Sequence, residues 1–397
     1  MTSMKRDGGQ TIMLKQEARA YINTHAEEMY QLLIRLAQIP APSHHEEKRM
    51  TFCRDWLLEN GAKGVYTDDA LNVIYPYGVQ EGGDVIVFMA HMDVVFPDTE
   101  ALPLHEENDR IYCPGVGDDT ANLVALLLAA KYVTETKAVP KECGILFVCN
   151  SCEEGMGNLK GSRQICADFA GRIRAFYSFD GTMKKVTNRA VGSRRFQVSV
   201  RTQGGHSYSD FGRKNAIAAL ASIVSDIYAI KVPQIGKTTY NVGEIKGGTS
   251  VNTIAEDASM LCEFRSDEAA GLNYMQEQFD RIFAAHQSRA EGGNSVTVEV
   301  ELVGERPCEQ ISAEAAKQRA RLLNNASELL KRVTGQTPKP TSGSTDCNIP
   351  LAQGIPAVCY GTYYGAGAHT REEYVEKNSL KLGYEVALES VLQYCKA

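Results

Sequence analysis

An α/β fold is what the sequence predicts: a mostly parallel sheet with helices on both faces, interrupted by an inserted α+β module. Three observations predict it. Apolar runs of strand length alternate with segments of helical spacing up to about residue 180, and strands joined by crossover helices imply a parallel sheet covered on both sides. Near residue 190 the pattern switches to runs alternating apolar and polar residues, as half-exposed strands do. The first pattern resumes after about residue 306. The expected organisation is a discontinuous main domain of residues 1–189 and 306–397, with residues 190–305 as the insertion.

The elements follow in order. Helical spacing covers residues 14–39 and stops at Pro40-Ala41-Pro42. A second helix pattern covers 46–59 and ends at Gly61. Strands at 73–75 and 85–90 precede a helix at 120–134, which is followed by a strand at 144–149. Another strand, 175–179, ends at Asp180. In the insertion, a strand at 195–201, a turn at Gly204-Gly205 and a helix at 215–230 come first. Strands at 239–245 and 259–264, on either side of Gly247-Gly248, lead to a helix at 268–290 and a strand at 296–303. Four strands and two helices in that order make a self-contained antiparallel unit. Beyond it come a helix at 313–333, a loop at Thr341-Ser342-Gly343-Ser344, a strand at 356–360 and a final helix.

At 397 residues the chain is too long for one simple core. A net charge of -7 leaves no basic footprint, which argues against a nucleic-acid partner. The most apolar helical stretch, 123–130, is far shorter than a bilayer span, so no membrane partner is expected. No apolar leader with a small-residue cleavage site follows Lys5 and Arg6. The eleven cysteines read as reduced thiols in a cytoplasmic protein. Cys152 is not expected to be a nucleophile, because neighbouring carboxylates raise a thiol pKa.

Chemistry concentrates in a few short words. His91-Met92-Asp93 follows one apolar run, and Cys152-Glu153-Glu154-Gly155 follows another. Gly117-Asp118-Asp119 opens a helical segment between them. In α/β sheets, strand ends are where ligands and reacting groups sit. His91, Asp118, Glu154, Asp180 and His369 are therefore candidate metal ligands; the mixture of imidazole and carboxylate suits zinc. Five ligands exceed what one catalytic zinc takes, but they serve two zincs if one carboxylate bridges. Asp118 is the expected bridge, with His91 and Asp180 completing one site and Glu154 and His369 the other. Asp93 is placed to accept from the second nitrogen of His91. Glu153, beside a ligand but not one itself, is placed to act as general base and then general acid. His25, His44, His45, His105 and His286 lie in polar or helical surface contexts and are not expected to be ligands.

These residues resemble the di-zinc exopeptidase family that includes peptidase T, bacterial glutamate carboxypeptidase, aminoacylase and acetylornithine deacetylase. His91-Met92-Asp93, Gly117-Asp118-Asp119, Glu153-Glu154-Gly155, Asp180 and His369 fall in that family's order. So do Gly204-Gly205-His206-Ser207 and Gly247-Gly248-Thr249-Ser250-Val251-Asn252. Thr120 departs from it where lysine is frequent, and Glu263 departs where Asp is common two residues before Arg265. The resemblance implies a zinc pair, replaceable by cobalt or manganese, with Asp118 bridging, a cis peptide between Asp118 and Asp119, and Glu153 as base. It implies that the insertion is a lid that also forms a homodimer, with His206 reaching the partner subunit's active site to stabilise an oxyanion. It further implies that Asn252 and Arg265 hold polar groups of the substrate, and that Asp346 lies in a substrate-facing loop. Asp at position 180 and the entry Gly192-Ser193-Arg194-Arg195 resemble the peptidase-T-like branch. The expected substrate is thus a di- or tripeptide cut by an aminopeptidase. An N-acyl amino acid deacylase or carboxypeptidase shares the metal chemistry, and a metal-stabilised peptide-binding protein is the non-enzymatic alternative.

Overall fold

The computed structural model describes residues 16–287, 294–309 and 312–396. The first positions of the 14–39 helix and the last of the 268–290 helix lie outside them. Ten strands and then two more build the two main sheets. They are β1 (Tyr66–Thr67), β2 (Val73–Tyr77), β3 (Val85–His91), β4 (Gly144–Asn150), β5 (Ile173–Ser178) and β6 (Lys185–Ala190), then β7 (Gly192–Arg201), β8 (Thr238–Gly247), β9 (Asp257–Ser266) and β10 (Thr297–Arg306), and finally β11 (Lys339–Gly343) and β12 (Ala357–Tyr360). The helices of the main unit are α1 (Gln16–Thr24), α2 (Ala26–Ala37), α3 (Glu47–Glu59), α4 (Asn122–Thr136) and α5 (Lys160–Asp168). The inserted segment contributes α6 (Ala216–Tyr228) and α7 (Ala269–Ala285), and the chain closes with α8 (Ala313–Thr334), α9 (Asn348–Ala352) and α10 (Ser379–Leu392).

The large sheet runs β1-β2-β4-β3-β5-β12-β6-β11. Its centre, β4-β3-β5-β12, is parallel. Antiparallel pairings of β2 with β4 and of β6 with β12 join the flanking strands to it. Every residue of β3 and β4 is buried, as two covered faces require. Along β3 the side chains alternate between two cores. Ile86, Phe88 and Ala90 face the core that also contains Leu127 of α4, Leu330 of α8 and Leu388 of α10. Val85, Val87 and Met89 face the one holding Ile165 of α5 and Ile349 of α9.

Three details differ from the sequence reading. The 14–39 helix is two helices broken at His25. There Thr24 Oγ1 donates to the Ala20 carbonyl (3.0 Å), and His25 Nδ1 sits 2.8 Å from the Tyr21 carbonyl. Side chains that compete for helix carbonyls weaken the ladder at that turn. The loop at 341–344 begins as the end of β11, an edge strand paired in parallel with β6. Neither strand shows an apolar run, because β6 is only partly covered and β11 is largely exposed. The helix expected from 120 starts at Asn122, after an irregular turn over Val116–Ala121.

The second sheet runs β8-β9-β7-β10, antiparallel throughout. α6 and α7 cover one face through a core that includes Phe196, Val198, Phe264, Leu220 and Phe279. The opposite face carries Arg195 and Glu263, which meet the loop after β4: Arg195 Nη1 donates to the Gly155 carbonyl. Asn215 caps α6, accepting from Ile217 N and Ala218 N. All eleven cysteines are unpaired, and all but Cys143 are buried. Burial, with Glu46 and Asp93 nearby, pushes the Cys152 thiol up to about 12, which removes it as a nucleophile. Among the described residues no helix is long and apolar enough to cross a membrane.

Candidate metal centre

The parallel strands deliver the first residues of the site. His91 is the last residue of β3, Glu153 and Glu154 follow β4, and Asp180 follows β5. His91 is buried, with Nδ1 lying 3.0 Å from the Asp93 carbonyl oxygen and 3.4 Å from Asp93 Oδ1. A proton on Nδ1 directed there leaves Nε2 as the free lone pair. Asp93 does more than the sequence suggested. Its carboxylate accepts from Ser43 Oγ (2.6 Å) and from the backbone N–H groups of Glu153 and Glu154 (2.9 Å each). It thereby ties the end of β3 to the loop carrying the second acidic pair.

Asp118 stands in the irregular turn before α4, and the Asp118–Asp119 peptide is cis. Glu373 holds this turn. Its Oε1 accepts from Gly117 N (3.0 Å) and Asp118 N (2.7 Å), and its Oε2 from Gly115 N (2.8 Å). The two oxygens of Asp118 then face different imidazoles: Oδ1 is 3.2 Å from His91 Nε2, and Oδ2 is 3.2 Å from His369 Nε2. His369 Nε2 also lies 2.9 Å from Glu154 Oε1. His369 is the exposed member, with 55% of its side chain accessible and a left-handed φ of 65°. Asp119 points backward. Its Oδ2 accepts from His91 N (2.9 Å) and its Oδ1 from Asn122 Nδ2 (2.6 Å), so both oxygens are engaged by the protein.

All five sequence candidates therefore come together, in two overlapping groups whose ligand atoms lie within 4.8 Å of one another. One is His91, Asp118 and Asp180 with Asp119; the other is Asp118, Glu154 and His369. Glu153 shares a third such group with His91 and Glu154. The electrostatics fit a pair of cations. Burial and the Asp118 charge raise Asp180 to about 7. Burial also drives Asp119 and Glu153 well above the carboxylate range. Hydrogen bonding to Asp118 and Glu154 raises His369 to about 11. Burial alone would depress His91, but Asp119, Asp118 and Asp93 together hold it well above its ordinary value. Crowded, buried carboxylates facing imidazole lone pairs are a donor set that divalent cations neutralise.

Two cations already belong to the protein. Arg49, fully buried, donates to the Met92 carbonyl (2.8 Å) and to Thr120 Oγ1 (3.2 Å), bracing both ligand-bearing segments from behind. Arg306, the last residue of β10, donates through Nη1 to Glu153 Oε1 (3.2 Å) and through Nη2 to the Glu153 carbonyl. Neither arginine nor Glu373 was singled out from the sequence. An acidic pair, Glu372-Glu373, just beyond His369 was the one available signal for the latter.

Other expected residues stand elsewhere. Asp346 is fully buried, with Oδ2 accepting from Asn150 Nδ2 (2.7 Å). Arg265 is paired with Glu263 through Nε (2.6 Å) and Nη2 (3.0 Å), and Arg195 Nε contacts the same carboxylate at 3.1 Å. His206 and Asn252 are exposed, beside a short antiparallel ladder that pairs Gly205–His206 with Thr253–Ile254. Among the described residues neither makes a hydrogen bond or ion pair to the metal-ligand candidates.

Comparison with known proteins agrees with this architecture. Bacillus subtilis YqjE is 24% identical over 362 residues, spanning 86% of this chain and 91% of its own. The crystal structure of aminopeptidase PepT from Bacillus cereus superposes with a TM-score of 0.63 at 20% identity, covering 92% of this chain and 97% of that one. Bacillus subtilis YXEP, described as a dinuclear metal-binding peptidase, gives 0.58 at 16% identity, covering 94% and 99%. Residues 87–393 match the description of peptidase family M20/M25/M40, and with most of the chain inside that match, the protein belongs to this family.

Proposed function

We propose that the protein is an aminopeptidase that hydrolyses di- or tripeptides, with two divalent ions, zinc first among them, held by the five candidate ligands. His91 and Asp180 would serve one ion, Glu154 and His369 the other, and Asp118 both. The observation that carries this reading is the split of Asp118, one oxygen toward each imidazole at 3.2 Å. When bound, such ions polarise a scissile carbonyl and acidify water. The protein's own residues do the rest. Glu153, within 4.8 Å of the ligand atoms of His91 and Glu154, takes a proton from the attacking water and returns it to the leaving amine. Asp93 fixes the loop on which Glu153 stands.

His206 fits a role in a neighbouring subunit's site. Its Nδ1 accepts from Tyr208 N and Ser209 N (3.3 Å each), so the proton sits on Nε2, a donor suited to an oxyanion. Tyr208, Phe211 and Val251, all highly exposed and close in sequence to that ladder, offer apolar surface to a second copy. Residues 190–305 would then act as lid and dimerisation domain. The aminopeptidase PepT, whose fold this chain shares, supports the choice of peptide substrate.

The test compares the wild-type protein with the Glu153→Gln variant, both loaded with zinc and assayed on dipeptides, tripeptides and N-acyl amino acids. Two metals retained with turnover down about 100-fold or more is the expected result. Near-normal turnover removes the mechanism. Hydrolysis of N-acyl amino acids alone reassigns the wild-type protein as a deacylase, and zinc binding without any hydrolysis reassigns it as a binding protein.

A further inference from the structure

We infer that Arg306 is a positioning residue for the base, and that it makes the base's alignment depend on the docking of the second sheet. The inference rests on the reading of Glu153 as base. Arg306 ends β10, where it pairs with Ser193 at the start of β7, so it belongs to the inserted sheet at its junction with the main unit. Its guanidinium is buried, with Nη1 on Glu153 Oε1 at 3.2 Å and on Ser344 Oγ at 3.1 Å, and Nη2 on the Glu153 carbonyl. Among the described residues it is the one side-chain partner of the Glu153 carboxylate. A planar guanidinium holding a carboxylate and the same residue's backbone oxygen fixes direction as well as charge.

Neighbouring contacts tie the same two parts together. Arg195 of β7 donates to the Gly155 carbonyl, Asn158 Oδ1 accepts from Glu305 N (2.9 Å), and Arg163 donates to the Glu305 carbonyl. The loop from Glu153 to Asn158 is thus held along its length by β7 and β10. A swing of the second sheet away from the main sheet draws the guanidinium off Oε1, so the base is aligned only while the sheet is docked. A side chain oriented by a fixed partner keeps reactive geometry that a free one loses.

The test is a double-mutant cycle on the zinc-loaded, full-length enzyme with a hydrolysed dipeptide. Arg306→Gln should lower kcat about 10- to 100-fold, the range for partners that orient a reacting group, with KM within about twofold and both metals kept. Arg306→Lys should recover part of that loss, because one bond to Oε1 survives. In the Glu153→Gln background, Arg306→Gln should cost less than about twofold further, since the group it orients is gone. Equal losses in both backgrounds, or a change in KM alone, overturn the inference. If Arg306→Gln does not fold, Ser344→Ala serves instead. It removes the guanidinium's second side-chain anchor and should lower kcat at constant KM, whereas unchanged kcat counts against the inference. A failure of the base assignment is read separately, as near-normal turnover of Glu153→Gln alone.

Discussion

Asp118 does with one carboxylate what two separate ligands could not: it faces two imidazoles at once. Asp118→Asn keeps its size but leaves one oxygen where two are needed. We predict that metal stoichiometry in this variant falls below two per chain, measured by elemental analysis after equilibrium dialysis; two tightly held ions would count against bridging. The imidazoles set the pH response. The protein's own carboxylates raise His369 to about 11 and His91 well above its usual value, so a cation that takes an imidazole lone pair competes with protons. Metal affinity should therefore climb with pH between about 6 and 8, roughly tenfold per unit for each proton displaced. Calorimetry in buffers of different ionisation enthalpy reads that proton release directly, and a pH-independent affinity would contradict it. The ligand candidates that the structure brings together were legible in the sequence, because His91, Glu154 and Asp180 follow apolar strands, Asp118 opens a helical segment and His369 lies in a small-residue loop. Arg306 and Glu373 were not, since Glu153 and Asp118 lie 153 and 255 residues away from them in the chain. No local pattern announces such a partner.

At the scale of elements, the turn over Val116–Ala121 decides whether Asp118 points correctly. Gly117 has no room for a side chain, because an added Cβ would stand 2.6 Å from the Tyr363 ring. Gly117→Ala should cost about 1–3 kcal/mol through overpacking and displace Asp118. Weaker zinc binding alongside a lower Tm is the outcome to look for. Glu373→Ala removes the acceptor for three backbone N–H groups of that turn. Zinc affinity should fall about 10- to 100-fold, as when other supporting partners of metal ligands are lost. The central strands were readable because β3 and β4 are apolar along their whole length. β11 was not: it is exposed, begins Lys339-Pro340, and exists as a strand because β6 offers it an edge. The break at His25 was equally hidden, since the apolar spacing continues through it while the side-chain hydrogen bonds that interrupt the helix do not register as periodicity.

For the whole molecule, the site is where two sheets and several distant loops converge, so its charge balance and the fold's stability are linked. Binding two cations to the folded chain alone should stabilise it by about 4 kcal/mol per site at a thousandfold excess over Kd. Chelation should accordingly lower Tm. The proposed dimer has a sharper test. Mixing Glu153→Gln with His206→Ala chains and allowing exchange should restore about a quarter of wild-type activity, because half the dimers are mixed and each then holds one intact site. No recovery would place His206 in its own chain's site, and an active His206→Ala homodimer would place it outside catalysis. The central claim, a cation pair sharing Asp118, is tested most directly by a zinc-loaded crystal with anomalous scattering measured at the zinc edge. The account predicts two peaks about 3.5–4 Å apart with Asp118 between them, flanked by His91 and Asp180 on one side and by Glu154 and His369 on the other. A single peak, or a pair elsewhere with Asp118 touching neither, would contradict it.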